Sequence, residues 1–283
     1  MAERLSDVVT KIQNIRQLGA VVTALRAIAA SRAQNGRSLL AGIEAYTEVI
    51  SLAIGEALNL LPTDDEALPI ERENAKRVLI LFCAEQGFAG AFSERVFEAA
   101  GADLEGATIL LVGTRGAAVA AERGIRPGCS TAMISRVESI PSFANELAEV
   151  LYGYVAQGLV TRADIFFSRS VAGNIRVDRH SLLPIDFGRF ARLVQRQAPL
   201  VTLAPQLLLE RLAAEYVYAQ LCEAAMHAFV AENEARMIAM VAAKNNTEKT
   251  LVGLVQRERQ LRQEEITTEI VELAAGAEAS LKI

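Results

Sequence analysis

The sequence predicts an α/β protein in which two long terminal helices form an antiparallel coiled coil beside a small Rossmann-like, doubly wound α/β domain. Residues 5–60 and 205–279 have apolar residues at helical spacing. The first stretch contains no proline, and the second contains only Pro205, at its first position. The middle of the chain instead alternates short apolar runs with helix-compatible segments. We therefore predict an N-terminal coiled-coil helix, an α/β domain with its linker, and a long C-terminal coiled-coil helix, at residues 1–60, 61–204 and 205–283.

Small side chains mark the predicted contact between the two long helices. On the C-terminal helix alanines recur in steps of three and four, at positions 224, 228, 231, 235, 239 and 242. A similar stripe near the start consists of Ala20, Ala24, Ala27 and Ala30. Small residues on one helix face let a second helix approach closely. Because a whole domain separates the two helices in the chain, an antiparallel pair is the simplest arrangement, and an ordinary helical bundle is the alternative.

The predicted domain contains four apolar runs that are typical of strands in a mostly parallel sheet. They are RVLILFCA (77–84), TILLVG (108–113), ADIFFSR (163–169) and PLVTL (199–203). Ser142 to Gln157 is compatible with a helix between two of these strands. An acidic segment with two prolines, Leu61 to Asn74, is predicted to be the linker into the domain.

Two glycine pairs follow predicted strands and precede predicted helices. They are Gly87-Phe-Ala-Gly90 and Gly113-Thr-Arg-Gly116. Backbone amides at such positions can bind phosphate, but neither pair completes a dinucleotide-binding or P-loop fingerprint. We predict tight strand-to-helix turns, for which glycine has the conformational freedom, and keep phosphate binding as the alternative.

The end of the C-terminal helix changes character. The sequence QRERQLRQEE, from Gln256 to Glu265, has one apolar residue, Leu261. Apolar residues return at Ile266, Ile270 and Leu273. A helix that is polar all round does not lie in the core of its own domain. This segment is predicted to project, with its apolar tip enclosed by another protein.

Composition excludes several classes of function. The net charge of -5 does not favour a nucleic-acid partner. Three separated cysteines, Cys83, Cys129 and Cys222, form no CxxC pair, so neither a disulfide framework nor a zinc site is predicted, and we expect no cofactor. The start resembles no signal peptide, and no run approaches the roughly 18 consecutive apolar residues that span a bilayer. Membrane association is expected only through partners.

Several motifs together resemble the gamma subunit of F-type ATP synthases over nearly the whole chain. The most specific are Ala235–Met240, similar to the family's ARMxAM stretch, and Arg262–Ile270, similar to RQxxITxEI. Further similarities are Thr23-Ala24-Leu25, Ala29-Ala30-Ser31-Arg32, Tyr46, Gly113–Gly116 and Asn246. Two segments depart from the family pattern, Glu85–Ser93 from DRGLCGxxN and Glu258–Gln263 from YNRARQ. These departures favour a divergent branch, for which the alternate, sodium-linked bacterial ATPase is the candidate.

The resemblance implies a non-catalytic rotor shaft. Such a shaft couples the ion-driven rotation of a membrane c-ring, with protons or sodium ions, to conformational cycling of a catalytic alpha/beta hexamer. It further implies contacts with the alpha, beta and epsilon subunits and the c-ring, on the cytoplasmic face of the bacterial inner membrane. By the same resemblance, Arg262, Gln263, Thr267 and Glu269 are expected to contact beta-subunit catch loops. Arg236 is expected either to contact a subunit loop or to pair with a neighbouring helix.

Two other classes remain as alternatives. A nucleotide-binding α/β protein with coiled-coil arms would need a complete glycine fingerprint and an acidic residue after its second strand, and the sequence has neither. A structural protein that dimerises through a coiled coil would need sustained Leu/Ile heptads, rather than an alanine seam interrupted by QRERQLRQEE.

Overall fold

A computed structural model of the protein describes residues 4–61, 76–171, 173–190 and 200–280. The helices and strands, in chain order, are α1 (Leu5–Leu58), β1 (Lys76–Phe82), α2 (Phe92–Ala100), β2 (Thr108–Val112), α3 (Thr114–Glu122), β3 (Cys129–Thr131), α4 (Ile140–Ala156), β4 (Val160–Val171), β5 (Asn174–Leu183) and α5 (Pro205–Ser280). Their contacts divide the described chain into two compact units. One contains residues 4–28 and 237–280, and the other contains the described residues between 29 and 236. The domain boundaries predicted from the sequence stay a prediction.

The larger unit is built on a five-stranded sheet in the order β3-β2-β1-β4-β5. The first three neighbouring pairs are parallel, and β4 pairs with β5 in the antiparallel sense. The predicted mostly parallel sheet is therefore confirmed, with β1, β2 and β4 at the predicted positions. Helix α4 likewise matches the helix predicted at 142–157.

The strand predictions failed at three places. The described part of the predicted strand at 199–203 is irregular and exposed, because its apolar run pairs with no other strand among the described residues. Two edge strands, β3 and β5, were missed. Strand β3 has three residues, and β5 is rich in charged and polar residues (NIRVDRHSLL), as suits an edge that water can reach. The predicted linker at 61–74 lies almost wholly outside the described residues.

Helices cover both faces of the sheet, as the doubly wound prediction requires. Alternate residues of β1 point to opposite sides, so Val78, Ile80 and Phe82 enter one core and Leu79 and Leu81 enter the other. The first core is completed by α4 and by the part of α5 in this unit. The second is completed by α2 and α3.

Within each unit α1 and α5 run antiparallel. In the larger unit Arg37 bonds to Glu234, and Tyr46, further along α1, bonds to Glu215, which is earlier in α5. In the smaller unit a Cβ added at Gly19 would lie 3.9 Å from the Thr247 hydroxyl. The predicted antiparallel pair is confirmed.

The seam on the N-terminal part of α1 differs from the predicted alanine stripe. Ala20, Ala24 and Ala27 are exposed and line an open groove of about 600 Å³. Val8, Ile12 and Val22 are the buried residues of this part. Alanine is favourable on both the buried and the exposed face of a helix, so the spacing of the alanines alone did not identify the buried face.

By length and composition, one described helix, Leu5–Leu58, could cross a membrane, which the sequence analysis had not predicted. Helices that pack against protein can have the same length and composition, so these two properties alone do not assign α1 to a membrane.

Candidate functional site

The far end of α5 is an exposed helical surface. Gly19 lies opposite Thr247, so antiparallel pairing brings the start of α1, at Leu5, to the level of Leu261. From that level onward α5 has no described partner helix, and every residue from Arg262 to Ala275 is exposed. Of the segment predicted to project, Gln256–Glu265, the part up to Leu261 lies level with α1, and the part from Arg262 onward extends beyond it. We call Arg262–Ala275 the terminal surface.

Polar and apolar groups share one face of the terminal surface. At 100° per residue, Arg262, Ile266, Glu269 and Leu273 point within about 60° of one another. Ile266 and Leu273 are 51% and 74% exposed. A face that combines charged groups with exposed aliphatic side chains is suited to binding a protein partner.

Charges are segregated along the helix near this surface. Three arginines, Arg257, Arg259 and Arg262, come first with Glu258 among them, and four glutamates, Glu264, Glu265, Glu269 and Glu272, follow. A partner that matches this order would offer acidic groups to the first part and basic groups to the second.

The predicted contact residues of the terminal surface have few partners within the chain. Nη2 of Arg262 donates to Oε1 of Glu258 at 2.7 Å, one helical turn earlier. The Thr267 hydroxyl donates to the backbone carbonyl of Gln263 at 2.8 Å. The side chains of Gln263 and Glu269 are exposed.

Arg236 lies elsewhere, in the larger unit, and is only 6% exposed. It forms an ion pair with Glu232. Its guanidinium also donates to the carbonyl oxygens of Gln86 and Gly87, at 3.1 and 3.2 Å. These contacts join Arg236 to its own helix and to the loop after β1, and none of them is the expected pairing with a neighbouring helix. A subunit contact stays a prediction.

Glu232 completes the attachment of this loop to α5. Its carboxylate accepts hydrogen bonds from the backbone N–H groups of Glu85 and Gln86, at 3.1 and 3.3 Å. The loop after β1 is thus held by an anion on its amides and a cation on its carbonyls. Sequence reasoning missed this cluster because Gln86 and Arg236 are 150 positions apart.

The strand-to-helix corner before α3, where phosphate would bind, already holds a carboxylate. Glu85 accepts from the N–H and hydroxyl of Thr114, at 3.0 and 2.7 Å, and from the N–H of Met133 at 2.7 Å. The donors that would otherwise bind a phosphate are therefore satisfied from within the chain.

The glycines at this corner serve close packing. Gly113 has a φ of 106°, and a Cβ there would lie 2.6 Å from the carbonyl oxygens of Cys83 and Ala84. A Cβ on Gly116 would lie 2.2 Å from Cβ of Cys83. These distances support the tight-turn interpretation of the Gly113–Gly116 motif over phosphate binding.

Arg169 and the buried His227 form a second polar cluster. Arg169 donates to Nε2 of this histidine, from Nε at 3.2 Å and from Nη2 at 2.8 Å. Burial, and then the charge of Arg169, lower the pKa of His227 to about 4. The ring is therefore neutral at physiological pH and acts as an acceptor. Within the described residues no group of three His, Cys, Asp or Glu side chains could hold a metal ion.

The chain matches known protein sequences over nearly its whole length. The sequence model of the ATP synthase family matches residues 4–280. The ATP synthase gamma chain of Bdellovibrio bacteriovorus is 24% identical over 296 residues, covering 97% of this chain and 98% of the relative. The ATP synthase gamma chain of Clavibacter sepedonicus is 26% identical over 295 residues, covering 99% and 98%.

Solved structures share the fold at low identity. A chain in the cryo-EM structure of the Euglena gracilis mitochondrial ATP synthase, OSCP/F1/c-ring, in rotational state 3, matches with a TM-score of 0.68 and 12% identity, covering 97% of this chain and 94% of that one. A chain of the rotor of the same enzyme, in rotational state 1, matches with a TM-score of 0.62 and 14% identity, covering 93% and 98%.

Proposed function

The chain belongs to the ATP synthase family, and we propose that it serves there as the gamma-type central shaft, a non-catalytic rotor subunit. The observation that carries this proposal is the terminal surface. It is a helical end that extends beyond its partner helix and exposes both charged and aliphatic side chains on one face. A surface of this kind is better suited to contact with other subunits than to exposure to solvent.

Contact with the catalytic subunits is proposed at Arg262, Gln263, Thr267 and Glu269. All four side chains lie on the exposed end of α5, where hydrogen bonds and charge pairs to beta-subunit catch loops can form at one rotational angle and break at another. Arg236 is buried and holds the loop after β1, so its predicted contact with a subunit loop would use only the small exposed part of its side chain.

The proposed mechanism involves no bond-breaking by this chain. A shaft of asymmetric cross-section contacts three otherwise equivalent beta subunits differently, and so stabilises a different conformation in each. Rotation exchanges these contacts, which links ion flow through the membrane ring to ATP synthesis, and ATP hydrolysis to the reverse rotation. Only contacts that differ between the conformations can transmit this coupling.

The remaining partners follow from the same proposal. The alpha and beta subunits would surround the coiled coil, and the epsilon subunit and c-ring would bind at the α/β domain. The complex would place the chain peripherally on the cytoplasmic face of a bacterial inner membrane. Coupling to protons or to sodium ions would be decided by the membrane subunits. The departures at Glu85–Ser93 and Glu258–Gln263 favour a divergent branch of the family and leave the choice between protons and sodium ions open.

Co-expression tests the proposal directly. The tagged chain is produced with candidate alpha and beta subunits, purified, and assayed for composition and ATP hydrolysis. We expect one copy of this chain for every three alpha/beta pairs, with hydrolysis that depends on its presence. A folded chain that does not co-purify with these subunits would overturn the proposal.

The nucleotide-binding alternative finds no support at the α3 corner, since Glu85 occupies the donors that a phosphate would need. Titration of the isolated chain with ATP checks this point. Tight binding would favour that alternative. The structural coiled-coil alternative predicts a dimer in solution, which a mass measurement on the isolated chain would detect.

A further inference from the structure

Arg169, close to the end of β4, contacts both long helices at once. Its Nη2 lies 3.6 Å from Oε1 of Glu44 on α1 and 3.6 Å from Oε1 of Glu223 on α5. The same guanidinium donates to Nε2 of His227, one turn beyond Glu223 on α5. All four residues belong to the larger unit. One side chain of the sheet therefore joins three elements of the chain, and we call these four residues the junction cluster.

The geometry of the junction cluster suits an arginine. A guanidinium offers five N–H donors in a rigid planar fork, so it can face several acceptors together, whereas a lysine ammonium is a compact point charge. Glu223 is 13% exposed and His227 is buried, so water and salt weaken their contacts with Arg169 less than they weaken contacts at an open surface. Glu44 is exposed, which makes the link to α1 the weaker of the two.

Aromatic packing supports the same junction. Phe167 lies two residues before Arg169 on the same face of β4, and its ring stacks on that of His227 at a centroid distance of 5.9 Å. Phe167 also contacts the ring of His180 on β5, with centroids 5.0 Å apart and the ring planes nearly perpendicular. Nδ1 of His180 lies 3.4 Å from the side-chain oxygen of Gln220 on α5. Both strands at this edge of the sheet are thus attached to α5.

Strand pairing gives Arg169 an unfavourable neighbour. In the antiparallel register of β4 and β5 it lies directly opposite Arg176, and residues in opposite positions share one face of the sheet. Like charges placed in this way destabilise a sheet. Arg176 is exposed and pairs with Asp178 of its own strand at 3.1 Å, whereas Arg169 is directed to the helices. Well-packed apolar residues often stabilise a partly buried site as well as charges do, so stability alone does not account for an arginine here.

The direction of the contacts matters because a turning force on the sheet acts along its interface with the helices. The hydrophobic effect depends on buried area and has no preferred direction. Hydrogen bonds, in contrast, weaken steeply when their distance or angle changes. The junction cluster therefore opposes a sideways displacement of the sheet over the helices in a way that buried area alone does not.

We propose that Arg169 is a positioning residue that makes the sheet and the parts of α1 and α5 in the larger unit turn as one body. Torque that neighbouring subunits apply to the sheet then reaches the long helices through the junction cluster. The proposal rests on the proposed function, since it takes the chain to be a rotor shaft. It adds an element of coupling that is separate from the contacts of the terminal surface.

The Arg169→Met variant of the full chain tests the proposal in the complete complex, reconstituted in vesicles. Methionine keeps an unbranched side chain but has neither the charge nor the donors. We expect unchanged ATP hydrolysis by the soluble complex with alpha and beta subunits, since that reaction passes no torque from the sheet to the membrane. In vesicles, the membrane potential built up for a given rate of hydrolysis should fall about two-fold or more, because ion pairs of this kind shift an equilibrium a few-fold. A voltage-sensitive dye reads that potential for protons and sodium ions alike.

Arg176→Met is the matched control, because it removes the same residue type from the opposite position on the same face of the sheet. It should leave the ratio of potential to hydrolysis unchanged. Glu44→Gln is a second test variant, since it weakens the link to α1 at an exposed position where folding depends little on the charge. It should lower the ratio in the same direction by a smaller factor. All variants are compared at equal amounts of assembled complex.

Failure of this proposal can be told apart from failure of the proposed function. If the wild-type chain does not assemble with alpha and beta subunits, the shaft proposal fails, and the role of Arg169 fails with it. If the wild-type complex pumps ions and Arg169→Met has the same ratio of potential to hydrolysis, the role of Arg169 is overturned while the shaft stands. If Arg169→Met does not fold, Glu44→Gln decides, and an unchanged ratio in that variant overturns the proposal.

Discussion

Gly36 of α1 faces Val230 of α5 so closely that a Cβ on the glycine would lie 2.5 Å from Cγ2 of the valine. Phe229 would lie 3.4 Å from the same Cβ. Both neighbours are buried in the core of the larger unit, so neither can move aside freely. The close approach of the two long helices at this level therefore depends on a missing side chain.

Gly36→Ala should destabilise the chain by about 1–3 kcal/mol, because the new methyl group overpacks this contact. Urea denaturation of the isolated chain measures the change. Gly42→Ala is the matched control, since a Cβ at Gly42 would meet nothing within 4 Å on the same helix. The control should be neutral or stabilising by up to about 1 kcal/mol. Equal effects of the two substitutions would contradict the inferred contact.

Glu85→Ala should cost about 1–3 kcal/mol of unfolding free energy, because it leaves the N–H groups of Thr114 and Met133 without their acceptor. Chemical denaturation again provides the measurement. Glu149→Ala, at an exposed position of α4, is the control and should lie within about 0.5 kcal/mol of the wild type. A Glu85→Ala variant as stable as the control would show that the carboxylate does not hold the corner.

Stability should fall on acidification because of His227. Its folded pKa of about 4 lies below the ordinary value of 6.5, so the unfolded chain binds the proton more readily. The loss begins as the pH drops below about 6.5 and is complete below about 4, and it amounts to about 3 kcal/mol. Unfolding free energies measured between pH 7 and pH 4 test this.

His227→Gln is the matched variant for that titration. Its amide oxygen can accept from Arg169, but it binds no proton in this range. The variant should therefore lose less stability than the wild type between pH 7 and pH 4. Parallel pH profiles for the two proteins would assign the acid sensitivity to other groups.

Glu258→Gln should strengthen assembly with the catalytic subunits, because it releases Arg262 from its ion pair within the helix. An exposed pair contributes up to about 1 kcal/mol, so an increase in affinity of about 2–5-fold is expected. Glu265→Gln removes the same charge from an exposed neighbour and serves as the control. If both variants bind equally, the change reflects net charge rather than the release of Arg262.

The double variant Gln263→Leu/Thr267→Ala should impair coupled ATP turnover in the assembled complex without unfolding the chain. Both side chains are exposed, and the Thr267 hydroxyl donates to the backbone carbonyl of Gln263, one turn earlier in the same helix. Helicity by circular dichroism should stay constant, while hydrolysis-driven pumping falls. Unchanged ATPase activity and pumping would remove these two residues from the proposed contact.

The parts of the fold that sequence predicted are those where one physical cause dominates. Strand β1 is buried on both faces, so its continuous run VLILF identifies it. The exposed end of α5 was recognisable because the polar run QRERQLRQEE marks where its apolar stripe stops, although the first six residues of that run still lie level with α1.

The remaining features depend on residues that are far apart in the chain. Buried Arg236 donates hydrogen bonds to the carbonyls of Gln86 and Gly87, and no local sequence pattern predicts that contact. The same holds for Arg169 and His227. The alanine prediction failed on α1 for a different reason, since small residues mark a groove there as readily as a seam.

The carboxylate of Glu85 has a consequence for how the shaft would respond to its surroundings. A fold of this topology commonly senses nucleotides through the amides at the start of a helix. Here the chain supplies its own anion to those amides, so that corner has no vacancy to be filled as ATP, ADP or phosphate levels change. The start of α3 would therefore keep the same hydrogen bonds whatever the energy state of the cell.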